Sequence, residues 1–308
     1  MYIVKNMETL SSTFKDVIKK GAALSKTSTV VTEENVYQKG HEEILPLIDT
    51  MIDSLVLPGS GISGLEHLRE LLNLARSGKS CLLLLEHYSN MDMPLFSYLL
   101  RKEEKEPELG KEIADAVVAI AGMKLNEASP TVAAFTGAYT RIVIYPSRSL
   151  EDLDAEKDRA EIIRSNAINR AAMKALIDIK TKGKLILVFP SGTRYRPWDP
   201  DTKKGVREID SYIKSFDYMS FIAINGEVLH VRQGDMMDDY ISQDIVRFTA
   251  GPVVSCTEFR NEARAKADEA GIEDKKQATA DAIMERLEIL HIASEKEREK
   301  IIAERSAT

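Results

Sequence analysis

The sequence predicts an α/β protein: a mixed, mainly parallel sheet covered by helices on both faces, preceded by a small helical N-terminal subdomain. Three observations predict it. Short apolar runs at residues 81–85, 116–121, 141–145, 184–189 and 219–224 have the length and texture of strands buried on both faces. Helical stretches alternate with them, as crossovers between parallel strands require. The text before residue 77 shows only helical periodicity, so the chain divides into a helical subdomain, 1–76, and an α/β domain with C-terminal helices, 77–308.

In chain order, Thr32-Glu33-Glu34 reads as a helix start, a capping residue followed by first-turn acids. Ile44, Leu45, Leu47, Ile48, Met51, Ile52 and Leu55 continue that helix as an apolar stripe through Pro46. Leu57-Pro58-Gly59-Ser60-Gly61 breaks it. Ser63-Gly64-Leu65-Glu66 has the form of a capping box, and Leu65, Leu68, Leu71, Leu72 and Ala75 give the next helix its apolar face. Ser77-Gly78-Lys79 stops it.

The strand Cys81-Leu82-Leu83-Leu84-Leu85 follows, then a helix carrying Leu95, Phe96, Tyr98 and Leu99. After the strands at 116–121 and 141–145, a long helix is expected over 153–180. Its inward residues would be Ile162, Ile163, Ala167, Ile168, Ala171, Met173, Leu176 and Ile177. The strands 184–189 and 219–224 come next, and a sixth, over 245–248 and 252–254, is interrupted at Gly251-Pro252. From Glu258 onward the chain reads as helix, with Ile283, Met284, Leu287 and Leu290 on one face.

Composition narrows the function classes. A net charge of −7 argues against nucleic acid as the main partner, because binding a phosphate backbone needs a basic surface. The two cysteines, Cys81 and Cys256, have no metal-ligand or C-x-x-C spacing and read as buried free thiols in a reducing compartment. The first residues show no basic segment followed by an apolar stretch, and no run is long enough to span a bilayer. The expectation is a cytoplasmic protein, with room for peripheral contact at a membrane surface.

Two post-strand segments carry chemistry. His87 ends the strand that begins at Cys81, at the carboxyl edge where open α/β sheets place ligands. Asp92, five residues on, would lie in the first turn of the next helix if Ser89 or Asn90 caps it. Its carboxylate would then point back at the imidazole, fixing the tautomer and presenting the other nitrogen as a base. The same spacing also fits an aspartate that merely stabilises a helix start.

The second segment is Phe189-Pro190-Ser191-Gly192-Thr193-Arg194-Tyr195-Arg196-Pro197. Gly192 permits close backbone approach, and Arg194 and Arg196 supply planar forks suited to phosphate or carboxylate. Ser191 stands in a P-S-G-T context and not in a G-x-S-x-G elbow, which makes a serine hydrolase a poor match. Alone, the segment also reads as a surface turn with solvated arginines. Arg148, just past the strand at 141–145, could reach the same edge.

Taken together, H-x4-D at His87 and Asp92 and F-P-S-G-T-R at 189–194 resemble the glycerolipid acyltransferase family. Within it the likeness is greatest to the soluble, plastid-type glycerol-3-phosphate acyltransferases. Those share a serine at the place of Ser191, the R-x-R-P ending seen at 194–197, and a small helical domain ahead of the α/β domain. The likeness runs from about Leu82 to Pro200. Two departures are Ser149, where the plastid-type pattern has a basic residue, and the strand 219–224, which lacks the proline of the fourth motif.

The resemblance implies acyl transfer from a CoA or acyl-carrier-protein thioester to a hydroxyl of glycerol 3-phosphate. His87 would act as general base and Asp92 as its orienter. Arg148, Arg194 and Arg196 would hold the phosphate, with backbone donors around Ser191, Gly192 and Thr193 in support. No metal or cofactor is implied beyond the thioester co-substrate. The competing readings are a lysophosphatidic acid (1-acylglycerol-3-phosphate) acyltransferase, a hydrolase or thioesterase using Ser191, and a non-catalytic lipid- or anion-binding module.

Overall fold

A computed structural model describes residues 8–24, 30–127, 130–146, 149, 150, 154, 156–234 and 236–306. The strands are β1 (Tyr37–Gln38), β2 (Gly61–Ser63), β3 (Cys81–Leu85), β4 (Val117–Gly122), β5 (Arg141–Ile144), β6 (Leu185–Val188), β7 (Tyr218–Asn225), β8 (Leu229–His230), β9 (Tyr240–Ile241), β10 (Arg247–Ala250) and β11 (Val254–Ser255). Among the described residues, one sheet runs in the order β1-β5-β4-β6-β3-β7-β10-β2, with β11 also on β7, while β8 and β9 form a separate hairpin. Its centre, β5-β4-β6-β3-β7, is parallel throughout; β1, β10 and β11 join it antiparallel.

Side-chain alternation explains why these runs are apolar without a break. On β3, Leu83 and Leu85 pack with helices Leu45–Leu55, Leu65–Arg76 and Asp92–Arg101. Leu82 and Leu84 pack on the other face, with Arg159–Ile179 and the C-terminal helices. All five residues of β3 are fully buried. Burying a leucine side chain contributes about 1.5–3 kcal/mol, so this strand is the centre of the core. Both cysteines are free and buried, and burial pushes their thiols up to about 12, leaving them protonated at neutral pH.

The helical expectation for the N-terminal part needs correction in three places. Residues 32–36 form a turn, in which the Asn35 side chain accepts from the Thr32 N–H at 2.8 Å, and the helix begins only at Leu45 with Pro46 in its first turn. Strands interrupt the region: β1 pairs with β5 and β2 with β10. Ser63 belongs to β2, where its Oγ accepts from Arg247, and the cap of Leu65–Arg76 is Gly64 with φ +74° and no side-chain bond. A Cβ at Gly64 would lie 2.1 Å from the Ala250 carbonyl oxygen, so only glycine fits.

The boundary expected at residue 76 is not a gap in packing. Ile44, Ile48, Ile52, Leu68 and Leu72 share one cluster with Leu83, Leu85, Leu187 and Ile222 of the sheet. Arg101 also holds Asp49 with two bonds of 2.6 and 2.7 Å, tying Leu45–Leu55 to the helix after β3. The long helix spans Arg159–Ile179 and buries Ile168, Ala172 and Leu176, but Ile163, Met173 and Ile177 lie on its solvent face. The expected C-terminal helix is two, Cys256–Glu269 and Lys275–Ser306, the second burying Ala280, Ile283 and Leu287.

Candidate active site

β3 and β6 are parallel neighbours, so His87 and the segment from Phe189 leave the sheet at the same edge. Two contacts join them. The Phe189 ring stacks on the His87 imidazole, centroids 4.0 Å apart and planes inclined by 20°. The Tyr195 N–H donates to the His87 carbonyl oxygen at 2.8 Å.

Asp92 opens the helix Asp92–Arg101 and is almost wholly buried. Its Oδ2 lies 2.9 Å from His87 Nδ1 and also accepts from the Tyr88 N–H at 2.6 Å and the Ser89 N–H at 2.9 Å. Oδ1 accepts from the Ser89 hydroxyl at 2.9 Å. A buried carboxylate with this many donors is held in one orientation. As an acceptor-only group, it makes Nδ1 the protonated nitrogen and leaves the Nε2 lone pair free. The helix cap is Met91, without a side-chain bond, and not Ser89 or Asn90 as the sequence suggested. Ser89 instead accepts from the Met91 N–H at 3.1 Å while donating to Asp92.

The carboxylate one residue before His87 has a separate network. Glu86 is buried, accepts from the Ile224 N–H at 2.7 Å and the Tyr88 hydroxyl at 3.0 Å, and lies 3.0 Å from His291 Nδ1. His291 sits on Lys275–Ser306, so this network fastens the end of β3 to the C-terminal helix. The bond to Glu86 raises the His291 pKa, against the opposing effect of burial. Burial and Glu86 push the Tyr88 phenol above its ordinary value. Sequence reasoning passed over all three residues. The one signal was an acid at the end of an apolar strand, which must find a partner once buried.

In the segment after β6, Gly192 has φ +65° and its N–H donates to the Phe189 carbonyl at 2.9 Å, so that donor is already used. Ser191 is buried and donates its hydroxyl to the Thr193 carbonyl oxygen at 2.7 Å. A serine nucleophile must hand that proton to a base; here a carbonyl holds it. Thr193 is half-buried beside it.

The arginines part company. Arg194 Nη1 pairs with Asp239 Oδ2 at 2.5 Å, with the Asp239 side chain completely buried and that of Arg194 11% exposed. Burial pushes the Asp239 carboxyl up, while the Arg232 N–H and Arg194 pull it down. Arg196 has no ion-pair partner among the described residues. Both line a cleft of about 360 Å³ together with Trp198, Asp199, Arg232 and Gln233. Arg148 lies outside the described residues. Arg232 and Asp239 were not foreseen: they sit past β7, the fifth strand of the parallel centre, and no local spacing marks them. Among the described residues no group of histidines, cysteines and carboxylates could hold a metal ion, and no helix is long and apolar enough to cross a membrane.

Residues 61–234 match the family model described as Acyltransferase, which is more than half of the 308-residue chain. The chain belongs to this acyltransferase family, as its two sequence blocks implied. Among solved structures it is similar to the 1-acyl-sn-glycerophosphate (LPA) acyltransferase PlsC from Thermotoga maritima, with 15% identity over 87% of this chain and 89% of that one, at a TM-score of 0.38. No curated protein matches the sequence.

Proposed function

We propose that the protein transfers a fatty acyl group from a CoA or acyl-carrier-protein thioester to a hydroxyl of glycerol 3-phosphate. The observation that supports this reading best is the bond from Tyr195 to the His87 carbonyl. Tyr195 stands between Arg194 and Arg196, so the bond ties the segment that carries both cleft arginines to the main chain of His87, which supports reading the two as parts of one site. A phosphate held in the cleft would place a neighbouring hydroxyl at the base, replacing a bimolecular encounter by a positioned one.

In that arrangement His87 Nε2 takes the proton of the acceptor hydroxyl as the oxygen attacks the thioester carbonyl. The C–S bond then breaks, and the imidazolium returns its proton to the departing thiolate. Asp92 keeps Nδ1 protonated and stabilises the imidazolium while it exists. Ser191, Gly192 and Thr193 shape the turn that brings the arginines to the edge; no acyl-enzyme is needed. Arg148 is assigned to the phosphate with them.

The experiment that tests this offers two acceptors, glycerol 3-phosphate and lysophosphatidate, with two donors, an acyl-CoA and an acyl carrier protein thioester. Turnover with glycerol 3-phosphate is expected to exceed that with lysophosphatidate. A preference for lysophosphatidate would move the protein to the second acylation. Thioester hydrolysis without any acceptor, at the rate seen with one, would make it a hydrolase.

A further inference from the structure

Arg194, Arg196 and Arg232 all reach the cleft, but they are not equally available to an anion. Arg194 is largely buried and already neutralised by Asp239, whose side chain has no exposed surface. Asp239 does more than pair with it. Its Oδ1 accepts from the Arg232 backbone N–H at 3.0 Å, and its carbonyl accepts from the Leu10 N–H at 3.0 Å. The Asp239 carboxylate therefore joins the turn after β6 to the loop that links β8 and β9, and the residue's main-chain carbonyl ties that loop to the first described helix, Leu10–Thr13.

The side chain of Arg232 is held differently. Its guanidinium lies over the Tyr240 ring, 5.0 Å from the centroid, and Nη1 reaches the Tyr240 hydroxyl at 3.3 Å. These contacts orient the planar group without cancelling its charge. No carboxylate among the described residues forms an ion pair with it. The same holds for Arg196, whose main-chain N–H is anchored on Thr202 Oγ1 at 2.8 Å. The cleft thus has two guanidiniums outside any ion pair among the described residues, that of Arg232 oriented over Tyr240 with Asp239 within reach of its charge, and that of Arg196 on a separate segment.

We infer that Arg232 and Arg196 are the pair that grips the phosphate monoester of the acceptor, and that Arg194 is a positioning residue bonded through Asp239 to the Arg232 loop. The inference rests on the reading of the cleft as the acceptor's phosphate site, and it moves the principal contacts from Arg194 to Arg232. A fork from each of two segments suits a phosphate, which presents three oxygens, better than two forks from one turn.

The test is titration of the full chain with inorganic phosphate, followed by acceptor kinetics, in the wild type and in Arg232→Gln, Arg232→Lys, Arg196→Gln and Arg194→Gln. Loss of one charge-assisted contact should weaken phosphate binding about 10- to 100-fold. Arg232→Gln is expected to show that loss and a matching rise in KM for glycerol 3-phosphate. KM for the thioester and the thermal midpoint should stay unchanged, and Arg232→Lys should recover part of the affinity. Arg194→Gln is expected to lower the thermal midpoint.

Phosphate affinity unchanged in Arg232→Gln but lost in Arg196→Gln would overturn the role of Arg232 and leave the acceptor site standing. A wild type that neither binds phosphate nor prefers a phosphorylated acceptor would overturn the reading of the cleft itself, and the inference with it.

Discussion

His87 Nδ1 and Asp92 Oδ2 are 2.9 Å apart, and the aspartate that holds the histidine is itself held by two backbone N–H groups and a hydroxyl. The relationship is local in sequence and rigid in space. Because the carboxylate is buried, its position follows from the turn at 88–91 and not from solvent. The imidazole is fixed on its other side by the Phe189 ring. An imidazole so placed would spend little entropy in reaching the orientation that the proposed base needs.

Replacing Asp92 by asparagine keeps the shape and removes the charge. The amide has one acceptor oxygen for donors that now meet two, so the His87 tautomer is no longer enforced. The expected result is a fall in kcat of about 10²- to 10⁴-fold, with KM for the thioester little changed. Steady-state kinetics on both substrates checks it.

Ser191→Ala should separate acyl transfer from serine hydrolysis. Its hydroxyl is committed to the Thr193 carbonyl, so removing it should lower stability by about 0.5–1.5 kcal/mol. Turnover should fall less than ten-fold, roughly the effect of a small shift in the turn. Abolition of turnover in a folded variant would reinstate Ser191 as a reacting group.

Arg194 and Asp239 form a buried pair, and breaking such a pair leaves a charge without compensation. Arg194→Gln is expected to cost about 3–5 kcal/mol in chemical denaturation. Arg194→Gln combined with Asp239→Asn should cost less than the sum of the two single changes, since the same interaction is removed once.

His291 gives a pH dependence with a definite sign. Its pKa is raised in the folded protein, chiefly by the bond to Glu86, with Glu288 adding to that and Lys203 opposing it. The stabilisation is therefore complete below the ordinary value of 6.5 and is lost as pH rises through the raised value. Tyr88, the remaining titratable neighbour, stays neutral in this window. Thermal melts should show stability falling with pH above 6.5, and the slope should flatten in His291→Gln. His230, also raised, by Glu227, should supply what slope remains.

How far the chain could be read depended on range. β3, β4, β6 and β7 were legible because strands buried on both faces are continuous apolar runs. β1 and β2, two and three residues long, carry no pattern of their own and exist because the sheet edge pairs with them. Thr32 looked like a helix cap because a turn uses the same residues. Ile163, Met173 and Ile177 are apolar yet face solvent, which periodicity alone could not separate from the buried Ile168 and Leu176. The same contrast runs through the site. His87 and Asp92 are five residues apart and were found together; Arg194 and Asp239 are 45 apart, and nothing in either neighbourhood announces the other.

The most direct test of the central claim, that His87 is the base for acyl transfer, is the turnover of His87→Ala with glycerol 3-phosphate and an acyl thioester. Its circular dichroism should match the wild type, since Asp92 keeps its backbone donors, while the lost bond to Asp92 and stack on Phe189 should lower the thermal midpoint. A drop in kcat of about 10²- to 10⁴-fold or more is the predicted result. Retention of most of the wild-type turnover by the folded variant would contradict the account.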